Sequence, residues 1–477
     1  MTPERRAFFL RAAPPLLVGA VIALLPVPEG LKPQAWYYFA LFAAVIVGVA
    51  TEPIPPGAIG LAGVVIAAMS GLVFKNPTQA VNWALSGFGQ PTVWLIFGAY
   101  VLSVGYEKTG LGKRIALLLI RRFGSSTLGL GYAITLTDLA IAPFTPSNTA
   151  RSAGTIYPVI RNIPGLYGSE PGPTARRIGG YLMYVALCAT CVTSSMFPTA
   201  LAPNILAVLL IADTVGVTIP WIDWVTGFLP VGIALLVGMP ALIHWIYPPQ
   251  ITGVPTAPVW ASDELRQLGP MRRIEWLMLS GTLLVISLWI GGSRYTDATT
   301  AALLGVVLLV VRGVVSWDDI LANRRAWDTV MWVATLVTMA SGLVHVEFVP
   351  WVAATIKPVV VSLSLPVAVV FLVAVFFYVH YLFATISGHA TALLPLFLVV
   401  AVNVPGLSAK GWALALAYTF GMMGILTPYA TGPSPVYYGC GYISRTEFWI
   451  LGFVVGGVFL ATYLLIGVPW LVWRGFR

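Results

Sequence analysis

Charged side chains are scarce in this sequence: Asp, Glu, Lys and Arg make up 9% of its 477 residues, against 58% hydrophobic residues. Soluble globular domains carry about 25% charged residues, so this chain cannot clothe a soluble surface of its size. Cysteine is nearly absent too. Three residues exclude a disulfide framework. Cys188 and Cys191 form a CxxC, but inside the apolar run LMYVALCATCV, where small side chains serve helix packing rather than redox or metal chemistry. The sequence holds no H-E-x-x-H, no G-x-S-x-G and no pair of acids inside an apolar run, which argues against an enzyme. The net charge of +9 does not point to nucleic acid, because Lys and Arg lie mainly in short loops between apolar runs and no basic, aromatic-bearing domain exists.

What the chain has in abundance is apolar runs of membrane-spanning length, with a mean hydropathy of +0.88. Spanning candidates fall near 14–28, 35–51, 57–74, 92–107, 178–212, 222–246, 274–292, 297–312, 327–345, 411–440 and 447–471. Two further runs, 126–160 and 364–402, are interrupted near the middle by polar residues and read as re-entrant hairpins. The expected fold is an all-α polytopic membrane protein with about eleven transmembrane helices and two hairpins. The N-terminal ERRAFFL lacks a following A-x-A site and reads as the start of a first membrane helix rather than a cleaved signal.

Arg5, Arg6 and Arg11 place the N-terminus in the cytoplasm by the positive-inside rule. If the hairpins open to opposite faces, the loops with Lys108, Lys113, Arg121 and Arg122, with Arg176 and Arg177, and with Arg324 and Arg325 all fall on that side. The C-terminus then lies outside.

The 26-residue polar segment 248–273 divides the chain into halves that resemble each other. FGQPTVWLIFGAYVLSVG (88–105) pairs with RAWDTVMWVATLVTMASG (325–342), FTPSNTA (144–150) with FATISGHATA (383–392), and ALAPN (200–204) with ATGPS (430–434). An odd number of crossings separates the copies, so the repeats are inverted. Broken helices at corresponding positions of inverted repeats point to a secondary transporter's binding site.

TPSNTARSAGTIYP (145–158) is the first break. Pro146 disfavours helix at Thr145, and Ser147 or Asn148 is a good N-cap for the run that follows. The second limb would aim free N–H groups and its positive dipole end inward, which suits a carboxylate, while Ser147, Asn148 and Thr149 add neutral donors and acceptors. Arg151 lies one turn further on. It either grips a carboxylate bidentately or snorkels to the interface. In the second tip Ser387, Gly388 and His389 take the places of Ser147, Asn148 and Thr149. His389 reads as a neutral donor, a proton carrier, a cationic partner to an anion, or a packing residue. Ser195 and Thr199 in TSSMFPTALAPN (193–204), and Thr431, Gly432, Pro433 and Ser434 in LTPYATGPSPVYYG (426–439), mark two broken helices converging on the same site. Asp138 reads as a structural hydrogen-bonding acid, with proton coupling the alternative.

The SNT tip, TEPIPPG (51–57) and the broken helices resemble the divalent anion/sodium symporter (DASS) family. FTPSNTARSAGTIYP and LTPYATGPSPVYYGCGYI read like its exchanger branch, the citrate/succinate, tartrate/succinate and 2-oxoglutarate/malate antiporters. The resemblance implies a homodimer with scaffold and elevator-type transport domains. Scaffold helices would occupy 1–125, the first half of the transport domain 126–212, linker and scaffold 213–362, and the second half of the transport domain 363–477. It also implies substrate binding by Ser147, Asn148 and Thr149, with Thr431 nearby. Sodium-coupled members carry a second SNT and T-P-P-N runs, where this chain has Ser387-Gly388-His389, Leu201-Ala202-Pro203-Asn204 and Thr431-Gly432-Pro433-Ser434. Those departures weigh against sodium and toward fixed charge on Arg151 and His389. The implied activity is exchange of di- or tricarboxylates such as succinate, malate or 2-oxoglutarate without cofactor or metal, and sodium-coupled dicarboxylate symport is the alternative.

Overall fold

A computed structural model describes residues 3–292, 295–361, 364–403 and 407–475. It is all-helical, and the described residues contain no β-strand, only an isolated bridge between Ser126 and Gly253. Proline opens several helices at their first position, as in Pro33–Thr51, Pro56–Ser70 and Pro91–Thr109, where its missing N–H would be unbonded anyway. Among the described residues, eight helices are long and apolar enough to cross a membrane, and six apolar helices of 10–17 residues accompany them. Leu16, Val237, Phe453 and Leu465 point outward, where lipid would meet them.

One group of helices, Pro33–Thr51, Pro56–Ser70, Pro91–Thr109, Arg273–Gly291, Ala298–Val311 and Arg324–His345, packs together. A second group gathers around Gly179–Met196, all eighteen residues of which are buried. Its sequence explains that position. Ala186, Ala189, Thr190, Thr193, Ser194 and Ser195 let neighbouring backbones approach closely, and Cys188 and Cys191 are buried free thiols among them. Trp221–Ile246 packs against this helix and against Thr127–Ile141.

Both interrupted runs fold as two limbs joined by a break. Thr127–Ile141 ends in a short 3-10 turn, Ala142–Phe144; the chain then resumes as a π-helix, Thr149–Ile156. The wide winding is supported by Thr155, whose hydroxyl donates five residues back to the Ala150 carbonyl at 3.3 Å. The second break separates Leu365–Tyr378 and the turn Val379–Leu382 from Ile386–Asn403. The spans at 178–212 and 411–440 are also broken, within the segments 193–204 and 426–439 read as breaks from the sequence. The first splits at Phe197–Leu201, and the second is non-helical from Leu426 to Pro433.

Candidate functional site

The first tip is held by hydrogen bonds to both broken helices. The Pro146 carbonyl accepts from the Ala202 N–H at 2.8 Å, and the Asn148 amide donates to the Thr431 hydroxyl at 2.7 Å. Ser152 and Tyr437 share a hydroxyl contact at 2.8 Å. Ser147 caps the second limb by accepting from the Ala150 N–H at 3.2 Å. Gly432 lies so close to Thr149 that a Cβ there would collide with its hydroxyl.

Between the tips lies a cavity of about 280 Å³. Ser147 and Asn148 line it from the first tip, Thr385 and Ser387 from the second, and Thr431 and Gly432 from the second broken helix. Ala202 and Pro203 close it on the side of the first broken helix, and Tyr100, Thr329 and Trp332 on the side of the other helix group. Among the described residues, no acidic side chain lines this cavity. Its walls offer hydroxyls, an amide and the starts of two helices, a donor-rich surface suited to an anion.

Arg151 reaches neither the cavity nor an aqueous interface; it is fully buried. Its Nε donates to Asp138 Oδ1 at 2.8 Å, and Nη1 donates to the carbonyls of Thr145 and Ala200 at 2.9 and 2.8 Å. Nη2 donates to Ser194 at 2.9 Å and Thr190 at 3.2 Å. All five N–H donors of a guanidinium are thereby engaged. Both expectations for Arg151, a substrate clamp or a snorkelling side chain, give way to a third role. The ion pair with Asp138 cancels its charge, and the side chain ties the carbonyls of both breaks together. Asp138 is the structural acid expected of it, and Thr193 donates to the same oxygen.

The second tip is capped by Thr385, whose hydroxyl accepts from the Gly388 N–H at 3.1 Å. That hydrogen bond sets the repeat register. Thr385 is the counterpart of Ser147, 238 residues on, so the spelling match of Ser387 to Ser147 is two residues out. In the corrected register His389 corresponds to Arg151, and Phe376 corresponds to Asp138. The His389 ring packs against Phe376, Phe383, Phe420 and His380, with centroids at 4.5, 5.0, 6.1 and 5.2 Å. Neither ring nitrogen has a hydrogen-bond partner among the described residues, and the side chain lies outside the cavity. Where the first repeat buries an ion pair, the second buries an aromatic cage. His380 takes over one task of Arg151: its Nε2 lies 2.9 Å from the Ala430 carbonyl at the second break.

The remaining candidates sit behind the walls. Ser195 accepts from the Met422 N–H at 3.2 Å, Thr199 from the Trp221 indole at 3.2 Å, and Ser434 donates to the Gly424 carbonyl at 3.0 Å. Pro433 is buried at the start of Ser434–Gly439, and Gly388 donates to its cap. Thr149 packs on Gly432. The sequence reading missed Tyr100, Thr329 and Trp332, although all three lie within the paired segments 88–105 and 325–342. The described residues contain no cluster of three or more His, Cys, Asp or Glu able to hold a metal.

Paired broken helices meeting two hairpin tips define a secondary membrane transporter. The chain matches the family described as sodium:sulfate symporter transmembrane region over residues 7–475, and it belongs to that family, the divalent anion/sodium symporters. It is similar to the citrate/succinate antiporter of Escherichia coli (strain K12), with 44% identity over 468 residues, 95% of this chain and 96% of that protein. It is likewise similar to the L-tartrate/succinate antiporter of the same strain, 40% identical over 470 residues, 96% of each chain. Among solved structures, the Alcanivorax borkumensis YdaH transporter shares the fold with a TM-score of 0.55 at 14% identity, covering 100% of this chain and 99% of that one.

Proposed function

We propose that this protein exchanges di- or tricarboxylates such as succinate, malate or 2-oxoglutarate across the inner membrane, by an elevator-type alternating-access mechanism and as a homodimer. The observation that carries this reading is the donor-rich cavity on which two hairpin tips and the second broken helix converge. Its volume is near the lower end of the range of about 300–1,000 Å³ typical of small-ligand sites. The names of the relatives support carboxylate exchange.

A dicarboxylate brings two negative charges into a low-dielectric site, and each needs compensation. Fixed protein charge replaces sodium here. With Arg151 neutralised by Asp138, the positive ends of the two hairpin helices supply it, each worth roughly half an elementary charge. A fixed potential stays behind in an empty site, which disfavours return without an anion and makes exchange obligatory.

The elevator reading gains support from the surface between the helix groups. Tyr106, Phe144, Trp289, Trp221 and Phe197 form a continuous stack with centroids 5.0–6.0 Å apart. The Trp289 indole donates to Ala298 and the Trp221 indole to Thr199, each within its own side. Stacked faces without hydrogen bonds between these indoles suit sliding. The moving group comprises 126–212 and 363–477, to which we add Trp221–Ile246, with the N-terminus cytoplasmic and the C-terminus outside.

Reconstituted vesicles test this. Uptake of labelled succinate is expected to require internal dicarboxylate and to ignore a sodium gradient. Sodium-driven uptake into empty vesicles would replace exchange by sodium-coupled symport.

A further inference from the structure

Tyr100 is part of the wall of the cavity between the tips. The same side chain borders a second cavity of about 510 Å³, lined by Ser103, Glu107, Lys108, Arg324 and Arg325. Glu107, Ala150 and Arg325 in turn border a third, of about 600 Å³, which runs along the second limb of the first hairpin to Pro158 and Asn162. The three cavities adjoin one another through shared wall residues, and the outer two lie on the side of Lys108 and Lys113.

Charges along this path are not equivalent. Lys108 pairs with Asp319, and Lys113 pairs with Glu264 at 2.9 Å. Arg324 and Arg325 form no ion pair among the described residues, and both are exposed. Arg325 borders both outer cavities and shares the second with Tyr100, which also lines the cavity between the tips.

We propose that Arg325, with Arg324 beside it, is a capture point for the carboxylate anion, holding it in the vestibule before Tyr100 and the first tip receive it. The proposal rests on the carboxylate-exchange reading above. With Lys108–Asp319 and Lys113–Glu264 paired off, Arg324 and Arg325 outweigh Glu107 in these cavities, and a net excess of one sign in a cleft raises local substrate concentration and association rate. A guanidinium suits the role because it stays charged and grips a carboxylate in a planar fork. Glu107 opposes it at the same opening and rejects anions that do not engage the arginine.

The test uses the full chain in vesicles of known orientation, with succinate half-saturation measured separately at each face. Arg325→Gln is expected to raise it roughly 3- to 10-fold at low salt on the vestibule face alone, with the maximal exchange rate unchanged. The difference should vanish near 1 M salt, where the Debye length is about 3 Å. Glu107→Gln should shift half-saturation the opposite way, and Arg325→Lys should restore most of the wild-type value. A shift equal on both faces, a shift insensitive to salt, or no shift overturns the capture point. Loss of exchange in Arg325→Gln that Arg325→Lys does not restore also overturns it, as a structural role. Wild-type protein that neither binds nor exchanges succinate would overturn the transport reading instead, an outcome read before any variant is made.

Discussion

Arg151→Met removes the guanidinium while keeping much of its stem, and it strands Asp138 in the protein interior. Breaking a buried ion pair by removing one partner costs about 3–5 kcal/mol. The carbonyls of Thr145 and Ala200 also lose their donor, each worth about 1–3 kcal/mol when buried without a partner. The single substitution is therefore expected to destabilise the protein by at least about 4 kcal/mol. Replacing both charges, as in Asp138→Met with Arg151→Met, removes the unpaired acid but not the orphaned carbonyls. The double variant should recover about 2–3 kcal/mol relative to the sum of the two single variants. Equilibrium unfolding in a mild detergent, run as a double-mutant cycle, measures this coupling. Strictly additive effects would refute the reasoning. So would an Arg151→Met protein that keeps its stability but loses protection by succinate, because that result makes Arg151 a substrate ligand.

Gly432→Ala places a methyl group against the Thr149 hydroxyl and should cut exchange more than tenfold, with Thr149→Ala restoring part of it in the vesicle assay. Thr431→Val leaves the Asn148 amide without its acceptor. It should weaken succinate protection in a thermal-shift titration and lower stability by about 1 kcal/mol. His389→Phe extends the aromatic cage and should preserve both fold and exchange; loss of exchange would give the imidazole a charged role. Outside the spans, hydrogen bonding from Lys108 and Ser316 pulls the Asp319 carboxyl down to about 2. A depressed carboxyl stabilises the fold above its unfolded value of about 3.9 and loses that contribution as pH falls toward 2. Because both partners are partly exposed, the effect should stay under about 1 kcal/mol. Asp319→Asn should therefore lower the unfolding temperature slightly at pH 7, and the difference should fade near pH 2.

The breaks were legible because Pro, Gly and hydroxyl residues stand out in apolar runs, and the structure interrupts helices at all four of them. The company each side chain keeps was not. Arg151 finds Asp138 thirteen residues earlier and Ala200 forty-nine later, across breaks whose folding no local pattern encodes. At the second tip, Ser387 matches Ser147 by spelling, while the cap belongs to Thr385 two residues earlier. A threonine hydroxyl serves as cap as well as a serine, and only the hydrogen bond distinguishes Thr385 from Ser387. Tyr100, Thr329 and Trp332 carry no motif at all; their helices bring them to the cavity wall.

The unequal interiors of the two hairpins bear on how the chain enters a bilayer. An acid or an arginine inserted alone at mid-membrane costs about 2.5–3.5 kcal/mol on insertion scales. Asp138 and Arg151 belong to opposite limbs of one hairpin, so the first hairpin favours insertion as a closed, charge-neutral unit, with Arg151 waiting for the Ala200 carbonyl to arrive later in synthesis. The second hairpin, with Phe376 where the first has Asp138, carries no such requirement and can thread in limb by limb. Two copies of one repeat thus set different conditions on the insertion machinery, and the earlier copy sets the stricter one.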